Sequence, residues 1–290
     1  MNANRPMTPP GTSGDSGYAL VAAVAAILFF ATVALGILGF TQRAIMTGRA
    51  EIEAARAAAA ADAGIAIALR GLLADGPGSA FPIDGTPRQF RFDGATLLVE
   101  VRDERGKVPL NLLDQRQLTL LLESAGLSGE PLAVARDSYL DWIDEDDEPR
   151  PSGAEKDYYR GQGLVPRNAG FLTLGELGRV RGFTPLIVQN IATVATADFG
   201  NGSFDLRTAT PAAIAIMYPA GDAAVDEILR ARESQQQVTA LDFSNRTSRV
   251  GRPMTIAVKA SYPSGAVTTR RCVVELTGAA RRPYVMRHCA

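Results

Sequence analysis

Histidine is nearly absent from this chain of 290 residues: the one present is His288, close to the end. Ser-His-Asp and Cys-His arrangements need an imidazole base held in a packed site, and a residue read as part of a tail does not supply one. A carboxylate pair is the remaining acid–base device, but no pocket or nucleophile accompanies it, so the chain does not read as an enzyme. Cysteine is almost as scarce. Cys272 lies in a strand-like run and Cys289 is next to the last residue, which leaves no paired Cys-x-x-Cys spacing for zinc. In an oxidising compartment the two can bridge, closing a loop worth about 3 kcal/mol. The other arrangement is two free thiols, one buried and one on a frayed tail. Net charge is missing too: 30 Lys and Arg against 31 Asp and Glu leave −1, so no global basic field draws in nucleic acid.

Charge is also absent, locally, from a long apolar run. After a short polar leader, Met1 to Gly17, the stretch from Tyr18 to Phe40 carries no charge, and the first one after it is Arg43. At a helical rise of about 1.5 Å per residue the run spans about 35 Å, enough for a bilayer core of about 30 Å. A secretory signal has an apolar region of about 7–15 residues with its small-residue cleavage site behind it. Here the run is too long, and the glycine that resembles a cleavage site stands in front. The flanks do not fix an orientation: Arg5 and Asp15 lie on one side, and Arg43, Arg49 and Arg56 with Glu51 and Glu53 on the other. The plain reading is a single-pass anchor with Gly17 incidental.

The helix continues beyond the run. Arg49–Arg70 is rich in alanine, the best helix former, and Ile45, Ile52, Ala59, Ala63, Ala66 and Leu69 recur at three- to four-residue steps, predicting one apolar face. Asp75-Gly76-Pro77-Gly78 predicts its end. Strand signals follow: Gln89–Phe92, a tight Asp93-Gly94 turn, then Thr96–Arg102. The same texture returns at Met254–Ala260, a turn at Pro263-Ser264-Gly265, and Val267–Leu276. Strands so far apart most simply form one sheet packed on the amphipathic helix. Between them, residues 110–235 read as helical. Thr173-Leu174-Gly175-Glu176 has the form of a capping box. Thr184-Pro185 and Thr210-Pro211 are N-caps followed by proline at the first helical position, and Asp222 can cap a helix ending near Arg232. Thr173, Leu177, Val180 and Gly182 match Thr210, Ile214, Met217 and Pro219 in spacing, suggesting two short helix hairpins. Residues 113–143 supply a further helix pair with Leu118, Leu121 and Leu122 as its apolar face.

Within that segment lies an acidic run. Six of the eight residues Asp141–Glu148 are acidic, Asp144, Asp146 and Glu148 alternate, and Glu155 follows. Alternating loop carboxylates with a later glutamate suit hard cations such as calcium, which take about 6–8 oxygen ligands. The spacing fits positions 1, 3, 5 and 12 of an EF-hand loop, but Pro149 stands where the turn needs glycine, and Arg150 follows. This is not an EF-hand. The plain alternative is a solvated acidic loop, although so many like charges repel unless a cation relieves them. Tyr139 and Trp142, flanking the run, read as core, and Tyr158 and Tyr159 as partly buried.

Two sets of residues carry a family resemblance. Gly17-Tyr18-Ala19-Leu20-Val21 resembles the processing site of type IV prepilins and pseudopilins, in which a prepilin peptidase cuts after the glycine and the new terminus is methylated. Most of that superfamily carries glutamate at the fifth mature position. Here it is Ala22, as in the minor pseudopilin K of type II secretion systems. The second set is Asp141-Trp142-Ile143-Asp144-x-Asp146, Gly153-Ala154-Glu155, Tyr158-Tyr159, Pro166-Arg167-Asn168, Leu174-x-x-Glu176-Leu177-x-x-Val180-x-Gly182, Asp205-Leu206-x-Thr208-Ala209 and Ile228-Leu229-x-Ala231-Arg232. Together these resemble type II secretion system protein K over essentially the whole chain.

The resemblance implies an α+β pseudopilin fold. A long N-terminal membrane and amphipathic helix packs on a small antiparallel sheet, and a large all-α domain of helix-hairpin-helix or SAM-like type is inserted in that sheet. The expected divisions are a leader at 1–17, the helix at 18–75, sheet at 80–109 and 236–290, and the inserted domain at 110–235. It further implies processing at Gly17 and Tyr18, and calcium as a structural ion at Asp144, Asp146, Glu148 and Glu155. Implied partners are I- and J-type minor pseudopilins, the major pseudopilin, the prepilin peptidase and the inner membrane, with the globular part in the periplasm and no nucleic acid bound. The competing expectation is a membrane-anchored helix-hairpin-helix DNA-binding protein, with Arg179, Arg181, Arg230 and Arg232 near the hairpin turns.

Overall fold

The computed structural model describes residues 16–74, 81–218, 223, 225–232 and 249–290. The expected leader (1–15), the helix stop at 75–78 and the cap Asp222 lie outside the described residues. The chain divides into two units, residues 1–56 and 57–290. In the first, the described residues are helical, within α1 (Ser16–Leu73), and are long and apolar enough to cross a membrane. Its large apolar side chains, from Leu20 to Phe40, are exposed.

The second unit starts with the last turns of α1, which bury a face different from the one expected. Ala57, Ala60, Ala61, Gly64, Ile65, Ala68, Leu69 and Leu72 are inside, whereas Ala59 and Ala66 are exposed and Ala63 is half-buried. Of the expected stripe only Leu69 is buried; Ile45 and Ile52, in the first unit, are exposed. A run of alanines looks alike from every side, so hydrophobicity alone does not choose the face. Gly64 does: a Cβ there would stand 2.5 Å from Val258 Cγ1, so only glycine lets the helix backbone come this close to the sheet.

The sheet is built from β1 (Arg88–Phe92), β2 (Ala95–Asp103), β5 (Pro253–Ser261), β6 (Val267–Ala279) and β7 (Arg282–Cys289), antiparallel and in the order β1-β2-β5-β6-β7. Asp93 and Gly94, both at positive φ (47° and 79°), make the tight turn between β1 and β2. Alternation places Leu97, Val99 and Val101 of β2 and Ile256, Val258 and Ala260 of β5 in one core with the α1 face. β2 pairs with β5 from Thr96↔Ser261 to Asp103↔Met254, so the sheet closes across the whole intervening segment.

The end of the chain corrects an expectation. His288 and Cys289 are not in a tail: they belong to β7, which pairs with β6 through a turn at Ala280–Arg281. Thr277-Gly278 reads as a stop, but β6 runs through it. Pro283 is tolerated because β7 is an edge strand. Cys272 and Cys289 face each other across β6 and β7 and are joined by a disulfide, with Cα atoms 4.1 Å apart. Their neighbours Arg271 and Ala290 exchange both backbone hydrogen bonds, so the cysteines occupy the closer, non-hydrogen-bonded kind of pair.

Between β2 and β5 lie α2 (Gln115–Ser124), α3 (Gly129–Ile143), α4 (Lys156–Arg160), a 3-10 turn (Leu174–Arg179), α5 (Pro185–Val194) and α6 (Pro211–Met217), with residues 225–232 helical. Two short strands, β3 (Val108–Pro109) and β4 (Ala195–Thr196), pair in parallel. Thr184 and Thr210 cap α5 and α6, accepting from the Ile187 and Ala213 amides, each with proline next. Thr173 makes no such bond; Glu176 instead accepts from the Leu172 amide, and the segment winds as 3-10. The true capping box is Asp114 with Gln117, at the start of α2. Leu118, Leu121, Leu122, Tyr139, Trp142 and Tyr159 lie in a core separate from that of the sheet.

A buried ion-pair network roots this segment in the sheet. Arg252, just before β5, reaches Asp103 at the end of β2 (2.8 Å) and Asp205 of the helical segment. Asp205 also accepts from Arg207 (2.8 Å), and the Arg105 guanidinium donates to the carbonyl of Gly251.

Candidate cation site

The acidic run begins inside a helix. Asp137 and Asp141 lie on α3 one turn apart, both buried, and the strand-like exit after Ile143 carries Asp144 to Glu148 outward. The chain returns through Arg150 and a turn at Pro151–Ser152, and Glu155 then precedes α4. Asp141 is fully buried. It accepts from the Arg150 amide (3.2 Å) and guanidinium (2.6 Å). Gly153 passes so close that a Cβ there would meet Asp141 Oδ2 at 1.9 Å. The Ser152 amide donates to Asp137 (3.2 Å), and Asn168, at positive φ, donates to the Asp146 carbonyl.

Three of the four expected ligands come together: Asp144, Asp146 and Glu155 each offer an oxygen within 4.8 Å of the other two. Calcium bonds oxygen at about 2.3–2.6 Å, so two ligands of one ion stand no more than about 5 Å apart. Glu148 is exposed and outside the trio; its amide donates to Asp146 Oδ1. Glu155 is the telling member. It is 4% exposed, and neither carboxylate oxygen has a hydrogen-bond partner. Asp144 Oδ1 is likewise buried and unpartnered. Burial first, then the charges of Asp141, Asp144 and Asp147, pushes the Glu155 carboxyl up to about 7. An unpartnered buried carboxylate among other carboxylates is what a bound cation would satisfy. The oxygen-only donor set fits a hard divalent ion. Sequence reasoning missed Asp141 and Arg150 as parts of this site, because the EF-hand template assigns neither position a role.

The flanking aromatics are core: Tyr139 and Trp142 are buried, and Trp142 stands edge-on to the fully buried Tyr159. Tyr158 is exposed, with the Arg181 guanidinium over its ring. Two of the four arginines near the hairpin turns are occupied within the fold. Arg181 donates to the Gly153 carbonyl, and Arg232 to those of Leu206 and Ala209. At the other end of the chain, Gly17 and Tyr18 lie in the first turns of α1, and Tyr18 is exposed.

A long apolar-to-amphipathic N-terminal helix, packed through its later turns on an antiparallel sheet that is interrupted by a helical insertion, defines a pseudopilin-type α+β protein. Residues 98–198 match the family Type II secretion system (T2SS), protein K. The chain belongs to that family, a component of a secretion system and not known as enzymes. A crystal structure of the GspK-GspI-GspJ complex from the enterotoxigenic Escherichia coli Type 2 Secretion System contains a chain of similar fold. The TM-score is 0.52 at 15% identity, over 86% of this chain and 98% of that one. No curated protein sequence matches the chain.

Proposed function

We propose that the protein is the minor pseudopilin that forms the tip of a periplasmic pseudopilus and primes its assembly for export of folded proteins. It acts by assembly and not by catalysis. The observation that carries this reading is the insertion of residues 104–252 between two paired strands of one sheet. Such bulk is hard to fit between closely stacked subunits, but sits easily where nothing lies above. Ala22 agrees with it. A membrane-buried glutamate costs about 2.5–3.5 kcal/mol unless paired, and a subunit at the tip has no neighbour above to pair with it. The partners are the I- and J-type minor pseudopilins, as in the complex that holds the similar chain, and the major pseudopilin. A prepilin peptidase cuts after Gly17, Tyr18 is methylated, and the apolar run stays in the inner membrane with the remainder in the periplasm. Calcium sits at Asp144, Asp146 and Glu155 as a structural ion. Nucleic acid is not a partner, since Arg181 and Arg232 are spent on backbone carbonyls.

The test is co-expression with and without a prepilin peptidase, followed by N-terminal sequencing. A terminus at Tyr18 appears only with the peptidase, and Gly17→Val abolishes it, because a branched side chain does not fit a site shaped for glycine. Cleavage of the Gly17→Val chain at the same bond, or cleavage after the apolar run, would overturn the reading.

A further inference from the structure

Arg150 is one of the two residues that break the EF-hand pattern, and the ligand set gives it no role. Its geometry is specific. One nitrogen, Nη1, donates to Asp141 Oδ1 at 2.6 Å and to Asp144 Oδ2 at 2.5 Å. Its backbone amide donates to Asp141 as well. Asp141 is itself immobile, fully buried on α3 with Gly153 closed over it. Asp144 is therefore held by one oxygen only. The other, Oδ1, is buried without a hydrogen bond, as are both oxygens of Glu155. A carboxylate pinned through one oxygen presents its second in a set direction, which is how outer-shell groups orient metal ligands.

We infer that Arg150 is a positioning residue of the cation site. It ties Asp144 to the buried Asp141 so that the free Asp144 oxygen faces the ion, and it is not a tethered counter-charge that the ion must displace. This rests on the reading of Asp144, Asp146 and Glu155 as a divalent-cation site. The two roles differ in sign: removing an orienting group weakens cation binding, and removing a competitor tightens it.

The experiment is calorimetric titration of the detergent-solubilised full chain with calcium alone. The proteins are the parent, Arg150→Gln, Arg150→Lys and Glu155→Gln. Terbium luminescence lifetimes in light and heavy water then count the waters on the bound ion. Arg150→Gln is expected to weaken calcium binding about 10–100-fold, and terbium to gain a water where Asp144 is no longer held. Arg150→Lys, a point charge that still reaches between two carboxylates, is expected to fall between. Should Arg150→Gln fail to fold, the lysine variant decides, since weaker binding with an added water is still required of it. Unchanged or tighter binding in the variants, or an unchanged water count, overturns the positioning role while leaving the site intact. A parent that does not bind calcium, or binds it as well as Glu155→Gln does, overturns the site reading itself.

Discussion

Two groups of buried carboxylates in this protein differ in one respect. At the root of the insertion, Asp103 and Asp205 face Arg252, Arg207 and Arg105, and all four carboxylate oxygens are engaged: Asp103 by the Arg105 amide and Arg252, Asp205 by Arg207 and Arg252. In the loop after α3, Asp141, Asp144, Asp146 and Glu155 share Arg150, and three oxygens of Asp144 and Glu155 have no partner. The consequences for ionisation are opposite. Burial would raise Asp205, but the bonds from Arg207 and Arg252 hold its carboxyl well below the usual range, whereas Glu155 rises to about 7. The first group is closed by the chain itself. The second carries a surplus of negative charge that the chain does not neutralise. That surplus separates a structural knot from a ligand site, and a count of acidic residues alone does not show it.

The largest effect should come from opening the closed group. Arg252→Ala leaves two buried carboxylates without their shared partner, and breaking a buried pair in this way costs about 3–5 kcal/mol. Urea unfolding of the full chain in detergent, followed by the fluorescence of Trp142, measures it. The loss should be the same with calcium or with chelator. A loss below about 1 kcal/mol, the range of an exposed pair, would mean that the root is not a buried knot.

Addition of calcium comes next and acts on the open group only. At a free concentration of about 100 times its dissociation constant the ion adds about 2.7 kcal/mol to stability. The increment should be unchanged in Arg252→Ala and absent in Glu155→Gln. An increment that survives Glu155→Gln would place the ion elsewhere.

How much of this contrast is legible in the sequence depends on whether a feature is local. Asp93-Gly94 predicts its hairpin, and Thr184-Pro185 and Thr210-Pro211 predict their helices, because each states its geometry within a few residues. The trio Asp144, Asp146 and Glu155 is legible for the same reason. The Asp114–Gln117 capping box was equally local and was passed over, while Thr173–Glu176 has the form without the bonds. What fails is whatever a distant residue decides. The buried side of α1 is set by Val258 meeting Gly64. β7 is set by β6, which offers an edge that the stop at Thr277-Gly278 appears to deny. Arg252 of the root network sits far along the chain from Asp103, so nothing near either residue announces their meeting. Arg150 fails differently. It stands inside the motif, but the template gives its position no role, and only the burial of Asp141 shows why an arginine is there.

The smallest effect, and the sharpest on the comparison, is in pH. For Glu155 the folded value of about 7 lies above an unfolded value of about 4.3. Between them the ion-free folded protein holds a proton that the unfolded chain has released, so stability rises as pH falls through that window. In chelator the parent should gain about 2 kcal/mol between pH 7.5 and pH 5, discounted from the full shift for partial solvation. Asp103 and Asp198, also raised by burial, slope the same way, so the quantity to read is the difference from Glu155→Gln. That variant has no such proton to bind and should be the more stable of the two at pH 7.5 in chelator. Asp205 behaves in the reverse sense: its contribution is fully present throughout this window and is lost only in stronger acid, as pH falls below the unfolded carboxylate range. Saturating calcium should abolish the Glu155 gain and turn it into a loss, because the ion needs the ionised carboxylate. Parallel pH profiles for the parent and Glu155→Gln in chelator would show that Glu155 is satisfied within the fold, and the two groups would then be alike.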